Sequence, residues 1–428
     1  MPFYADTYVE EDYVTKGDDL ILRYYVEPSK GISFEKVANM LTGESSIGTW
    51  TDIATEDPEA AKKLRPHIYL LNEKKGLIEV AYPLDLFEVT SIGGILASVA
   101  GNIYGMKALQ KLRLLDIGFP EKVVKQYPGP AYGIEGIRKL TKIKERPLVG
   151  TIIKPKVGLP TKKHAKVAYD SWAGGCDVVK DDENLTDQGF NPFRDRVTET
   201  LAARDKAESE TGEIKVYMAN ITGEVDEMFE RADWVKSQGG RYLMVDVVIL
   251  GYPVLQTLRK RNFGLVFHAH RAMHAALTRT KDHGITMYAL AKMYRLVGMD
   301  QLHIGTVVGK MEGGEEEVKA IYRGMTQKEV ERDDALGIVP QSWGDIKSTL
   351  PVSSGGLHQG HIPTLIDILG KDLVIQAGGG VHGHPDGTFA GAKALRQAVD
   401  AVMEGIPLEE KAKSCTELAG ALEKFKGI

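Results

Sequence analysis

The chain has 428 residues, 43% of them hydrophobic, so it can bury a large core and form two or three domains. Its 54 basic and 59 acidic residues give a net charge of -5 with no basic block, which argues against nucleic-acid capture by counterion release and leaves any anionic ligand to local groups. Two cysteines, Cys176 and Cys415, cannot build a disulfide framework, and no apolar stretch reads as a signal peptide or membrane span, so a reducing cytoplasm is expected.

Within residues 1–130, Leu20 to Val26 and Gly76 to Ala81 alternate as strands, while Phe34 to Leu41 has helical periodicity. A smaller N-terminal α+β domain is expected there. The punctuation Tyr127-Pro128-Gly129-Pro130 marks its end, and residues 131–428 are read as the catalytic domain with terminal helices. Apolar runs then recur with helix-like stretches between them: Leu148 to Ile153, Cys176 to Val179, Val216 to Met218, Tyr242 to Val247, Gly264 to Phe267, Leu302 to Thr306, Pro351 to Ser354 and Leu373 to Ala377. This alternation predicts an α/β fold with a C-terminal (β/α)8 TIM barrel. A doubly wound sheet is the alternative, but it rarely places polar chemistry at the end of every strand.

The carboxyl ends of these runs carry Lys154-Pro155-Lys156, Lys180 to Glu183, Asn220, Asp246, His268/His270/Arg271, His303, Ser354-Gly355-Gly356 and Gly378-Gly379-Gly380. In barrel enzymes that face hosts the chemistry. Lys180-Asp181-Asp182-Glu183 sets one amine among three carboxylates, whose mutual repulsion calls for a cation, and carboxylate oxygens suit Mg²⁺. The ammonium would compete with that ion unless it is deprotonated or converted into a ligand. Taken alone, such a tetrad is more often a solvated acidic turn.

Lys154 and Lys156 are expected to share one face of an extended strand, where crowding would suit proton transfer, although a solvated strand end is the plainer reading. His268-Ala269-His270-Arg271 could bind a transition metal or, through His270 and Arg271, combine acid/base work with anion binding; His268 and His274 could equally be buried structural histidines. The two glycine runs at the seventh and eighth strand ends suit phosphate cradles built from backbone N–H groups, and with Arg271 and His303 they suggest a bisphosphate ligand. Lys310, between glycines after the sixth strand, could close over a ligand, or simply belong to a surface loop.

Together the strings GESSIGTWT (Glu44 to Thr51), GNIYGMKAL (Asn102), GTIIKPKVGL (Lys154), GGCDVVKDDEN (Lys180), HAHRAMHA (His270), HIGTVVGKMEGG (Lys310), SSGGLH (Ser354) and QAGGG (Gly378) resemble ribulose-1,5-bisphosphate carboxylase/oxygenase (RuBisCO) of the large-subunit type, over nearly the whole chain. The short C-terminus and archaeal-looking variations resemble the type III branch. The resemblance implies that CO₂ carbamylates Lys180 and that the carbamate holds Mg²⁺ with Asp182 and Glu183. Ribulose 1,5-bisphosphate would then form an enediolate, add CO₂ at C2 (or O₂ in a competing oxygenation) and yield two 3-phosphoglycerates. It assigns Lys154, Lys180, His270 and Lys310 to catalysis. Lys156 would orient hydroxyls; Arg271, His303 and Ser354 would meet one phosphate; and Gly355, Gly356, Gln376, Gly378, Gly379, Thr49 and Trp50 would surround the rest of the ligand.

Glu44, Thr49, Trp50 and Asn102 would come from a partner subunit, so the resemblance implies a homodimer with shared active sites. Assembly into larger rings such as a decamer stays open, and no small subunit, nucleic acid or membrane is expected as a partner. Nucleotide salvage from AMP is the metabolic setting it suggests. Two departures stand out: Ile152 replaces a small hydroxyl residue of plant-type enzymes and Ile304 replaces Ser, both expected beside the bisphosphate. The rival readings are a RuBisCO-like enolase or isomerase, an amidohydrolase-type metal hydrolase, and a non-catalytic anion-binding assembly protein.

Overall fold

The computed structural model describes residues 8–49, 54–55, 57–308 and 314–427. Four strands near the N-terminus, β1 (Asp19–Pro28), β2 (His67–Asn72), β3 (Leu77–Pro83) and β4 (Leu109–Gly118), pair antiparallel in the order β4-β1-β3-β2. The helix Phe34–Glu44, started by the Ser33 hydroxyl accepting from Lys36 N–H, buries Phe34, Val37 and Leu41 against this sheet. Alternation is clear in β1, where Leu20, Leu22, Tyr24 and Val26 are all buried in the core.

The second part begins with β5 (Leu148–Ile152), β6 (Val178–Lys180), β7 (Val216–Asn220), β8 (Tyr242–Asp246) and β9 (Val266–His270). After β9 the chain lays β10 (Gly284–Ile285) parallel to the edge strand β4. It then returns to the barrel with β11 (Gln301–Gly305) and, beyond a short antiparallel pair β12 (Glu329–Val330) and β13 (Gln341–Ser342), with β14 (Leu350–Ser354) and β15 (Val374–Gln376). Eight parallel strands close in the order β11-β14-β15-β5-β6-β7-β8-β9. These are the eight runs expected from the sequence, and the helices between them form the outer layer of a TIM barrel.

Parity divides each barrel strand. Leu148, Val178, Val216, Met218, Tyr242, Met244, Val266, Leu350, Val352 and Val374 form an inner core, closed from below by Ile134 and Ile137. The alternate residues, among them Val149, Val179, Tyr217, Leu243, Phe267, Leu302 and Ile375, face the helices. Continuing the inward set upward reaches Lys180, Asn220, Asp246, His270, His303 and Ser354. One two-residue rhythm therefore builds the core below and gathers polar groups above.

A buried ion pair ties the two parts together. Asp116 on β4 accepts from Lys292 Nζ at 2.9 Å, from Val339 N–H at 2.9 Å and from Ile117 N–H at 2.7 Å, and both charged side chains are fully buried. Among the described residues, no helix is long and apolar enough to cross a membrane, and both cysteines are free thiols.

Candidate active site at the carboxyl end of the barrel

β6 ends on Lys180, whose side chain is 1% exposed. Its amine donates to the Asp181 carbonyl at 2.8 Å, contacts Met244 Sδ at 3.5 Å and lies 3.9 Å from Glu183 Oε2. Burial pushes its pKa down against the opposing pull of Glu183 and Asp182, favouring the neutral amine. The three carboxylates of this turn separate into distinct environments. Asp181 points outward, where Tyr217 OH donates at 2.6 Å, Arg196 Nε at 3.2 Å and Asn220 N–H at 3.0 Å, with His164 Nε2 at 3.1 Å. Burial would raise its pKa, but Arg196 and its hydrogen bonds win and hold it at about 2. Asp181 is thus an anchor for the turn, and only Asp182 and Glu183 remain to share the site with Lys180.

Asp182 accepts from Lys154 Nζ at 2.7 Å and from the Asn184 side-chain amide at 2.9 Å. Burial works to raise its pKa, yet these donors hold it below the usual carboxylate value. Glu183 is less closely held, with Lys156 Nζ at 3.9 Å and His270 Nε2 at 3.6 Å. The two lysines do not share a strand face: β5 stops at Ile152, and Lys154 and Lys156 occupy the bend beyond it, each facing a different carboxylate. Pro155 interrupts the extended run on which the expectation rested.

Opposite Lys180, His270 Nδ1 lies 3.0 Å from Asp246 Oδ1, and burial lowers its pKa to about 3. Burial conversely raises Asp246 to about 6. His268 and His303 meet Nε2 to Nε2 at 2.9 Å, and His303 Nδ1 lies 2.7 Å from Ser354 Oγ, so both His303 nitrogens are engaged. Half-buried Arg271 has its pKa lowered to about 10 by desolvation and, with Arg113, His274, Ile304 and Glu317, lines a cavity of about 770 Å³. Ile304 packs in the outer core and also lines this cavity beside Arg271, at a point where the β11–β14 register slips between His303 and Gly305.

The glycine runs do different jobs residue by residue. Gly355 and Gly356 have φ of 115° and 70°, conformations that a side chain would strain. A Cβ on Gly380 would sit 2.4 Å from the Leu357 carbonyl, so its absence lets the two loops pack together. A Cβ on Gly378 would come 3.2 Å from Lys154 Cε, whereas one on Gly379 would meet nothing within 4 Å. Gly379 thus leaves the start of the short Gly379–His382 helix open to a ligand. Gln376 is fully buried, its amide 3.7 Å from Met218 Sδ.

In the N-terminal domain, Asn102 Nδ2 donates to Glu44 Oε1 at 3.5 Å, and Thr49 lies beyond the helix that carries Glu44. Trp50 and Lys310 lie outside the described residues. Sequence reasoning gave no role to Asn184, Asp246 or Gln301, which hold Asp182, His270 and His268 respectively. Gln301 carried a readable signal, since it sits two residues before His303 and shares its inward parity.

Among the described residues, no three His, Cys, Asp or Glu side chains converge as a ready metal cage. The cluster offers two carboxylates and a buried amine, which fits a hard cation only when that amine becomes an oxygen ligand.

A closed parallel barrel with amines, carboxylates and glycine turns gathered at one face, joined to an α+β domain, defines the chain as a (β/α)8-barrel enzyme. The family model "Ribulose bisphosphate carboxylase large chain, catalytic domain" matches residues 133–425, and the corresponding N-terminal domain model matches residues 7–123. The chain belongs to the ribulose bisphosphate carboxylase large-chain family. It is 55% identical over 426 residues to the ribulose bisphosphate carboxylase of Methanocaldococcus jannaschii, covering 98% of this chain and 100% of that one. Among solved structures it is similar to the octameric Rubisco of Pyrococcus horikoshii, in complex with sulfate (TM-score 0.92, 47% identity, 99% and 96% of the two chains). It also resembles the dimeric archaeal Rubisco of Hyperthermus butylicus, with TM-score 0.93, 41% identity and coverage of 98% and 99%.

Proposed function

We propose that the chain carboxylates ribulose 1,5-bisphosphate with CO₂ and water to two 3-phosphoglycerates, with competing oxygenation by O₂, after Lys180 has been converted to a carbamate. The single observation that carries this reading is the Lys180 amine, buried and disfavoured as a cation, beside Asp182 and Glu183. A neutral amine can attack CO₂, releasing one proton and leaving an anionic oxygen donor. Carbamylated Lys180, Asp182 and Glu183 would hold Mg²⁺, which when bound supplies Lewis-acid polarisation of the substrate's carbonyl and hydroxyl oxygens.

The remaining groups bind the ligand and manage protons. Lys154 holds an ammonium at the lumen and is assigned to protonate the C2 carbanion after C–C cleavage. Neutral His270, braced by Asp246, and Lys156 orient the substrate hydroxyls and assist proton traffic there. Arg271 serves one end of the bisphosphate, with Ser354, backed by His303, beside it; the backbone of Gly355, Gly356, Gly378 and Gly379, with Gln376, serves the other. Lys310 is assigned to stabilise the new carboxylate. Glu44, Thr49, Trp50 and Asn102 reach the site from a partner in a homodimer, an assembly supported by the dimeric and octameric states named for similar structures. By likeness to type III enzymes, the bisphosphate derives from AMP in nucleotide salvage, in the cytoplasm.

The test is fixation of radiolabelled CO₂ with ribulose bisphosphate, with and without preincubation in CO₂ and Mg²⁺, for the native chain and Lys180→Ala. Activation by preincubation and its complete loss in the variant are expected. Equal activity in both proteins would sink the reading, and enolisation of the substrate without label in phosphoglycerate would favour a RuBisCO-like enolase or isomerase.

A further inference from the structure

Gln301, His268, His303 and Ser354 form an unbroken row of side chains across β9, β11 and β14. Gln301 Oε1 lies 2.9 Å from His268 Nδ1, His268 Nε2 lies 2.9 Å from His303 Nε2, and His303 Nδ1 lies 2.7 Å from Ser354 Oγ. Gln301 and His268 are fully buried and His303 is 3% exposed. Both rings are neutral, since burial lowers His268 to about 3 and His303 well below its ordinary value.

A neutral imidazole has one N–H, so each ring donates at one nitrogen and accepts at the other. Two ring nitrogens facing each other share a single hydrogen. The row therefore has only two arrangements, and it runs one way or the other as a unit. A carbonyl oxygen can only accept, so Gln301 Oε1 requires the hydrogen on His268 Nδ1. His268 Nε2 must then accept from His303 Nε2–H, and the bare His303 Nδ1 must accept from the Ser354 hydroxyl. Ser354 commits its only hydrogen to His303 and turns its lone pairs toward the lumen.

We propose that Gln301 is a positioning residue that fixes the tautomers of His268 and His303 and thereby makes Ser354 a hydrogen-bond acceptor toward the ligand. This deepens the substrate reading above, on which it rests for the ligand's identity: Ser354 takes a hydrogen from a sugar hydroxyl, and phosphate oxygens are left to Arg271 and backbone N–H groups. His303 acts through Ser354, because neither of its nitrogens is left for the ligand. The direction of the row does not depend on which sugar binds.

Neutron diffraction from a deuterium-exchanged crystal of the ligand-free full chain near neutral pH reads the row directly. Deuterium is expected on His268 Nδ1 and His303 Nε2, with the Ser354 O–D aimed at His303; deuterium on His268 Nε2 and His303 Nδ1 would overturn the proposal. In steady-state kinetics, Gln301→Leu should raise KM for ribulose bisphosphate about three- to tenfold while kcat changes less than about twofold. Gln301→Glu keeps an acceptor oxygen in either protonation state and should restore KM. An unchanged KM in Gln301→Leu also contradicts the proposal. If ribulose bisphosphate is not turned over at all, the substrate reading fails, while the deuterium positions still decide the row.

Discussion

Lys154 and Asp182 meet at 2.7 Å across the ends of two neighbouring barrel strands, whose register pairs Ile152 with Lys180. The ammonium neutralises a carboxylate that a divalent cation would also seek, so the two cations compete for Asp182. Lys154→Met should therefore tighten Mn²⁺ binding, read by its electron paramagnetic resonance, while lowering carboxylation by about 10²- to 10⁴-fold as the proton donor is lost. Weaker Mn²⁺ binding in this variant would contradict the competition.

The buried histidines set a second expectation. His268 and His270 have pKa values of about 3 in the folded chain, lowered first by burial, against an ordinary value near 6.5. The unfolded chain binds protons that the folded chain refuses as pH falls below about 6.5, so stability must decline there. Each such histidine contributes a slope of about 1 kcal/mol per pH unit. Urea midpoints between pH 7 and pH 5 should fall for the native chain and fall less steeply for His268→Gln. A pH-independent midpoint over this window would show that these rings titrate normally.

Asp181 has the opposite sign. Burial raises its pKa, but Arg196 and the His164 and Tyr217 contacts overcome this and hold it at about 2, below its ordinary value of 3.8. Its contribution is complete above the ordinary value and disappears as pH falls through about 2. Replacing it by Asn leaves the Arg196 charge buried without its counter-ion, so a loss of about 3–5 kcal/mol is expected by denaturant unfolding at neutral pH. An Asp181→Asn chain as stable as the native one would rule out the anchoring role.

Adjacent glycines provide an internal control. Gly380→Ala drives a methyl group onto the Leu357 carbonyl and should lower the melting temperature. Gly379→Ala meets no protein atom within 4 Å, so it should melt normally yet bind a sugar bisphosphate more weakly. If calorimetry finds Gly379→Ala with native affinity, the ligand does not approach that backbone.

Most of the barrel was readable because its strands are short apolar runs bounded by polar ends, and all eight fall where that pattern places them. The partners of those polar ends were not readable. The pair Lys154 and Lys156 looked like one strand face because sequence spacing cannot show that β5 stops at Ile152. The run Asp181-Asp182-Glu183 cannot by itself show that Asp181 turns outward to Arg196 and Tyr217 while its two neighbours stay with Lys180. Gln301 went unremarked because its importance lies in contact with His268, from another strand.

The two residues Gly284 and Ile285 carry a mechanical consequence. They sit on the segment leaving the strand of His270, yet they extend the N-terminal sheet beside Arg113 and Leu114, with Tyr104 donating to the Gly284 carbonyl and Thr286 N–H to the Leu114 carbonyl. Cutting the chain near residue 130 would strip this segment of its backbone partners and loosen the tether that leads back to Arg271. The smaller domain thus acts as a brace on the catalytic face of the same polypeptide.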